Sequence, residues 1–214
     1  LLEQGVDANT PQADGATALH WAAHWDDAAM ANALIRAGAA VDATNDFGVT
    51  PLWLACQNGS AAMVETLLTA GAAANAALPS GETVLMTASR TGSAQAVSLL
   101  VAHGANLNAQ EQSRGQTALM WAVAQRHPDV VKTLVELGAD VHVRSNARPR
   151  RIHTRTAGFN PTGVIDTVQG GNTAMLFAAR LGNLDAARHL AAGGGDVNDT
   201  APMGTSALVV AAHS

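Results

Sequence analysis

The sequence predicts an all-α solenoid of repeated helix–turn–helix units rather than one globular core. A nine-residue phrase that opens with glycine occurs six times, at Gly15, Gly48, Gly81, Gly115, Gly171 and Gly204. Successive copies are 33, 33, 34, 56 and 33 residues apart. A period in the thirties is typical of stacked supersecondary units, each of which contacts only its neighbours. Hydrophobic content is 48%, but aromatic content is only 3%, which favours closely packed helices over a thick core.

The second unit shows why each repeat is expected to begin with a short helix. Gly48 follows an aspartate and a phenylalanine and is free to adopt the positive φ of a turn. Thr50 can then cap free backbone amides, and Pro51 suits the first helical position. Apolar residues follow at helical spacing, and Gly59 ends the helix.

A second helix of the same unit is predicted from the next apolar group. Met63, Val64, Leu67 and Leu68 recur at i, i+1, i+4 and i+5, and Gly71 follows as the stop. An extended return of five residues then leads into the next turn. Because neither helix is long enough to be stable alone, each must bury its apolar face on the adjacent unit.

This repeated pattern of turns and helices predicts one domain made of successive units. The predicted segments are the end of a preceding repeat at 1–12, repeats at 13–43, 44–76, 77–109 and 110–143, an inserted basic loop at 144–168, a repeat at 169–199 and a partial repeat at 200–214. Both ends fall inside a repeat, so the chain is expected to be a fragment of a longer array.

These residues resemble the ankyrin repeat family. The first copy supplies the family's phrase most fully, with Gly15, Thr17, Leu19, His20, Ala22 and Ala23. The family's closing segment appears as GAAVDA, GANLNA and GADVHV, starting at Gly38, Gly104 and Gly138. The resemblance covers the chain apart from the insertion, and it implies a non-enzymatic, protein-binding scaffold without a cofactor. The alanine-rich composition with a single lysine resembles that of bacterial ankyrin proteins.

Three departures from the family pattern predict local differences. Only His20 keeps the family's histidine, so the expected hydrogen bond with Thr17 is available in the first unit alone. Asp26 and Arg126 stand where the family has its inter-helix glycine, which predicts strain or an altered turn. Pro128 is expected to help start the second helix of the fourth unit.

Charge and composition exclude several classes of function. The formal net charge of −5 argues against a general nucleic-acid binder, and no apolar stretch is long enough for a membrane span. The only cysteine, Cys56, is expected to be a small packing residue, since alanine, serine or valine stands there in the other copies. His20 and His24 are spaced for one ion, but no third ligand accompanies them, so no metal site is expected. No catalytic constellation is visible.

The resemblance places a binding surface on the concave groove formed by the turn tips and the exposed side of the first helices. The groove positions that we expect to contact a partner are Trp25, Phe47, Gln57, Asn58, Glu82, Arg90, Arg114, Gln125 and Arg180, with Gln116 and Asn172 among the other groove-facing positions. Exposed aromatics and arginines contribute most to interface energy. For Trp25 the alternative is packing over the stack edge, against Met30 or neighbouring alanines. The other three tryptophans are expected to fill space between alanines.

The inserted loop is rich in basic residues, with five of the chain's twelve lysines and arginines. Prolines and glycines within it exclude a long helix, and its candidate contacts are Arg148, Arg150, Arg151, His153 and Arg155, with Phe159 as an apolar anchor. Arginine forks suit carboxylates and phosphates, so the targets that this loop suits are an acidic protein, an anionic ligand, nucleic-acid phosphate and an anionic lipid surface. Of these, we expect a protein with an acidic patch. The alternative is that these arginines pair with acids of the same chain, such as Glu111, Asp140 or Asp166, and that the loop caps the groove.

Three functions remain open from the sequence. The first is a protein-interaction scaffold that uses the groove and the arginine-rich loop. The second is a ligand-binding or hydrolytic protein with a pocket between loop and groove, formed by His153, Arg150, Arg151 and Glu82. The third is a purely structural segment of a longer array. The compartment, the oligomeric state and the partner's identity are not encoded in any motif.

Overall fold

The computed structural model describes residues 7–154 and 163–212, which form two layers of short helices. The first helices of the units are α1 Ala18–His24, α3 Pro51–Gln57, α5 Val84–Thr91, α7 Ala118–Ala124, α9 Ala174–Arg180 and α11 Ala207–Ala212. The second helices are α2 Ala28–Arg36, α4 Ala61–Thr69, α6 Ala94–Ala102, α8 Pro128–Glu136 and α10 Leu184–Ala192. Each first helix packs on the next first helix, and each second helix on the next second helix, across the insertion as well. The predicted all-α repeat architecture is confirmed.

Threonine precedes most of the first helices as the N-cap, because its hydroxyl accepts a hydrogen bond from a free backbone amide of the first turn. Thr50 accepts from the Trp53 amide at 3.1 Å, with Pro51 at the first helical position. Most second helices begin at an aspartate, serine or asparagine cap, whereas α8 uses Pro128 and has no side-chain cap. Most leucines of both layers lie in one continuous buried core.

Among the residues that the structure describes, two that are not glycine adopt the left-handed backbone conformation. Asp26 has a φ of 57° and Arg126 a φ of 61°, each at the turn between the two helices of its unit. Gly59 and Gly92 occupy this turn in other units with φ of 70° and 86°. The turn therefore keeps its left-handed backbone without glycine, and of the two outcomes that the missing glycines predict, strain and an altered turn, the structure shows the strained backbone.

Asparagine side chains tie the extended segments of successive units together. Asn9 donates to the Gly38 carbonyl at 3.1 Å and accepts from the Ala40 amide at 2.7 Å. Asn75 forms the same pair of bonds two units further along. These bridges fix the register of neighbouring units at the edge of the stack.

The insertion differs from the loop that the sequence predicts, because it contains two antiparallel strands. The strands β1 Arg148–Thr154 and β2 Gly163–Gln169 pair in register from Arg148 opposite Gln169 to Thr154 opposite Gly163. The β-branched residue types in both segments favour strands. Pro149 excludes a helix here but is tolerated in an edge strand, where no ladder amide is required.

Candidate partner-binding groove

The base of the β1–β2 hairpin, the turn of the fourth unit and helix α9 enclose a cleft of about 410 Å³. It lies between the insertion and the groove, where the sequence places a possible pocket. The lining residues are Arg114, Gln116, Ser145, Asn146, Arg148, Gln169, Gly170, Asn172, Phe177 and Arg180. Three arginines therefore reach one cleft from three separate elements, and no acidic residue lines it.

The base of the hairpin is held in place by backbone hydrogen bonds. The Asn146 amide donates to the Arg114 carbonyl at 2.7 Å, and the Ser145 amide donates to the Asn172 carbonyl at 3.0 Å. Gly170 has a φ of 88°, and a Cβ there would lie 1.9 Å from the Asn146 carbonyl oxygen. Only glycine permits this approach, so the cleft is formed in advance by the chain itself.

Strand alternation sorts the arginines of the hairpin onto two faces. Arg148 lines the cleft, and Arg150, two residues on, lines an adjoining depression of about 280 Å³ that also includes Arg180. Arg151 lies on the opposite face, where its Nε donates to the Asp166 carboxylate at 3.0 Å. One of the expected pairings with the chain's own acids is thus present, but only for Arg151.

Among the described residues, Glu111 and Asp140 do not pair with the arginines of the insertion. Each accepts hydrogen bonds from backbone amides of its own turn instead. The Glu111 carboxylate accepts from the backbone amides of Ser113, Arg114 and Gln116 at 2.6, 2.8 and 3.0 Å, and from the Ser113 hydroxyl. Burial alone would raise the pKa of Glu111, but the hydrogen bonds from these groups outweigh burial and lower the pKa of this carboxyl. Asp140 accepts from the backbone two residues on.

Arg144 and Arg148, at the base of the hairpin, both bond to other residues of the chain. Arg144 pairs with Asp199 and donates to the Gly171 carbonyl at 2.8 Å. Arg148 donates through its guanidinium to the Ser113 carbonyl, which orients it beside the cleft. The guanidinium groups of Arg114 and Arg180 have no hydrogen-bond or ion-pair partner within residues 7–154 and 163–212.

Three predicted contact residues in the middle of the groove are linked to each other. Arg90 donates to the Gln57 side chain at 2.6 Å and lies 3.7 Å from Glu82. Its guanidinium also lies over the Trp121 ring, 5.9 Å from the ring centroid. Glu82 additionally accepts from Thr87 at 3.0 Å. Glu82 does not line the cleft. Of the pocket residues that the sequence suggested, Arg150 lines the adjoining depression, whereas Arg151 lies on the other face of the hairpin.

The two predicted aromatic contacts are both 70% exposed. Phe47 lies in the turn of the second unit. Trp25 stacks at a tilt on Trp21, with ring centroids 5.1 Å apart, and shares an apolar cavity of about 610 Å³ with Met30. Trp25 occupies in the first unit the position that Asn58 occupies in the second. Asn58 contacts the unit before its own, whereas the first helix of the Trp25 unit is the first helix of the described stack. Trp25 therefore lies at the N-terminal end of that stack.

Asn58 is a bridge between units rather than a free contact. Its side chain donates to the carbonyls of Ala23 and His24 at 3.0 and 2.7 Å. Gln125 is exposed at the end of α7. Among the insertion candidates, His153 belongs to β1 by its backbone, whereas Arg155 and Phe159 lie outside the described residues.

The packing interpretations of His20 and Cys56 agree with the structure. The Thr17 amide donates to His20 Nδ1 at 3.1 Å, so Nε2 carries the proton and donates to the Val49 carbonyl at 3.0 Å. Cys56 is buried, and burial raises its pKa to about 12, which makes it a poor nucleophile. Within the described part of the chain, no three His, Cys, Asp or Glu side chains are grouped closely enough to hold a metal ion.

Several residues of the cleft were not found from the sequence. Ser145, Asn146, Gln169, Gly170 and Phe177 were not among the predicted contacts. The signal for the hairpin residues was the group of β-branched residues at 163–169, a composition that favours a strand. The signal for Phe177 was its place in the repeat, where Trp21 and Trp121 stand in other units.

The stacked helix pairs and the groove define a helical repeat protein, and the comparisons identify its family. A family model of ankyrin repeats, described as three copies, matches residues 1–77 and 63–145. The chain belongs to the ankyrin repeat family. The crystal structure of the human ASB11 ankyrin repeat domain is similar, with a TM-score of 0.76, 28% sequence identity, and coverage of 98% of this chain and 83% of that one. No protein among the curated sequences matches the chain.

Ankyrin repeats are generally protein–protein interaction modules, and proteins built from them are typically non-enzymatic. No helix in the described residues combines the length and the apolar character needed to cross a membrane.

Proposed function

We propose that this chain is a protein-interaction scaffold that binds its partner along the groove, from the turn of the second unit to the basic hairpin. The observation that carries the proposal is the cleft between the hairpin and α9, where three arginines face a cavity without an acidic residue. A positive cluster without a counter-charge is costly for folding alone, and it is typical of a surface that meets an acidic partner.

The other end of the proposed interface is apolar. Phe47 projects from a turn and is largely exposed, as interface anchors often are before binding. Trp25 extends this apolar surface toward the N-terminal end. Between the two ends, Gln57, Glu82 and Arg90 form a preorganised polar strip whose internal bonds keep their side chains in place.

A small-ligand binder is the second candidate, because the cleft volume of about 410 Å³ falls in the range of ligand sites. The described lining residues include no carboxylate, imidazole or thiol, so the cleft offers no general base for a hydrolytic reaction. A small anion would contact the cleft alone, whereas a protein partner would also contact groove residues outside it, such as Phe47. Substitutions outside the cleft therefore separate the two candidates.

The test is partner capture from the source cell with matched surface variants. Phe47→Ala removes the groove aromatic, whereas Leu184→Ala removes a similarly exposed apolar side chain from α10, in the other helix layer. We expect a captured protein to be lost or strongly reduced with Phe47→Ala and retained with Leu184→Ala. Loss with Leu184→Ala alone, or equal capture by all three proteins, would contradict binding through the groove.

A further inference from the structure

We infer that the hairpin cleft is a carboxylate-binding site for an extended acidic segment of the partner, with two acidic side chains at alternate positions. This inference rests on the proposed function and names the chemistry of one part of that interface. Arg114, Arg148 and Arg180 contribute the charge of the cleft, and Arg150 contributes that of the depression beside it.

The acidic residues within 7–154 and 163–212 do not neutralise the positive charge of the site. Of the nearby acids, Glu111 is occupied by turn amides, Asp166 by Arg151 and Asp199 by Arg144 and Thr173. No aspartate or glutamate lines either cavity. An external anion is therefore the natural counter-charge, and guanidinium forks bind carboxylates through two parallel hydrogen bonds.

The side-chain amide of Asn172 adds an uncharged polar group to the site. Asn172 is only 4% exposed and lines both cavities, yet its side chain makes no hydrogen bond to any of the described residues. Its backbone is fixed, because the Asn172 amide donates to the Ser145 hydroxyl at 3.1 Å and its carbonyl accepts from the Ser145 amide. The Asn172 side chain lines the two cavities without a partner among the described residues, so its NH₂ group can donate to a bound carboxylate.

The spacing of the two cavities matches an extended peptide. Arg148 and Arg150 are alternate residues of β1, so their Cα atoms are separated by about 7 Å along the strand. Acidic side chains at positions i and i+2 of an extended partner segment share one face and have the same separation. The two cavities share Gln169 and Arg180, so one segment can reach both.

The experiment measures binding of a fluorescein-labelled peptide, Gly-Glu-Ser-Glu-Gly-Ser, by fluorescence anisotropy. The comparison peptides are the isomer with adjacent glutamates and the analogue with glutamine at both acidic positions. We expect the alternating peptide to bind more tightly than its isomer, and the glutamine analogue to bind at least tenfold more weakly. Equal binding of the three peptides would overturn the inference, and equal binding of the two acidic isomers would overturn its two-position spacing.

Matched arginine variants distinguish binding at the cleft from attraction of the peptide by the protein's overall charge. Arg180→Ala and Arg114→Ala each remove one unpaired guanidinium, and we expect each to weaken binding about tenfold. Arg151→Ala and Arg188→Ala remove the same charge from arginines that pair with Asp166 and Asp185, and we expect less than a twofold change. Equal weakening by both sets would show that net charge alone attracts the peptide and would overturn the site.

Two further probes distinguish other anions. Inorganic phosphate that binds as tightly as the peptide, with the same dependence on Arg180, would overturn the peptide assignment in favour of a small anion. Tighter binding of an oligothymidylate would overturn it in favour of nucleic acid. If the peptide fails to bind while capture still depends on Phe47, only the carboxylate site is wrong; if capture is insensitive to Phe47, the proposed groove itself fails.

Discussion

Replacing Glu111 by glutamine should destabilise the turn that carries Arg114. The carboxylate accepts hydrogen bonds from three backbone amides and one hydroxyl, and the glutamine oxygen can retain about half of them, with its NH₂ group facing the remaining donors. Hydrogen bonds to charged groups contribute about 1.5–3 kcal/mol each. We therefore expect Glu111→Gln to lower the free energy of unfolding by about 3 kcal/mol at pH 7.

The matched control is Glu136→Gln, which makes the same chemical change on an exposed helix surface. Glu136 lies 3.9 Å from Lys132 in an i,i+4 pair with both side chains exposed, and such pairs contribute less than about 0.5 kcal/mol. Urea denaturation of the wild type and both variants measures the difference. Equal stability of the two variants would refute the structural role of Glu111.

The pH dependence gives a second, independent check on Glu111. Because its pKa is lowered in the folded state, its charge contributes stability that is fully present above the unfolded-state pKa of about 4.3. That contribution is lost as the pH falls through the lowered folded-state value. The stability gap between wild type and Glu111→Gln should therefore narrow in acid, and a gap that stays constant down to pH 2 would contradict the hydrogen-bond account.

The remaining predictions concern the scaffold. Asp26→Gly should raise the free energy of unfolding by about 1 kcal/mol, because the left-handed backbone at Asp26 disfavours a side chain; a loss of stability in urea would contradict the strain. His20→Ala should cost about 2–3 kcal/mol, since it leaves the buried Thr17 amide and the Val49 carbonyl without His20. His20→Met should cost less, because the methionine of the third unit accepts the equivalent amide through its sulfur. Cys56 should not react with Ellman's reagent until the protein is unfolded, and rapid labelling of the native chain would contradict its burial.

The scaffold was predictable from the sequence because its determinants are local and repeated. Thr50 and Pro51 mark a helix start within one turn of the helix itself. Asp26 and Arg126 indicated strained turns because glycine stands at the equivalent position of other units. The alignment of copies also predicted which residues pack. Cys56 was assigned to the core because its equivalents are small, and the structure buries it.

The candidate site was less predictable because it depends on strand register and on contacts between distant segments. The sequence indicated one cluster of arginines, whereas alternation in β1 separates Arg148 and Arg150 from Arg151. Arg114, Arg148 and Arg180 are brought together only by the hairpin's attachment to the groove. Likewise, the intramolecular bonds of Asn58 and Arg90 depend on how neighbouring units stack.

The most direct test of an acidic partner segment in the hairpin cleft is an NMR titration of the arginine Nε–Hε signals with the alternating glutamate peptide. The account predicts shifts of the signals of Arg114, Arg148, Arg150 and Arg180, and none at Arg188 on α10. Saturable shifts confined to these cleft arginines would support the carboxylate site. Shifts spread evenly over all arginines, or no shift at Arg180, would contradict it.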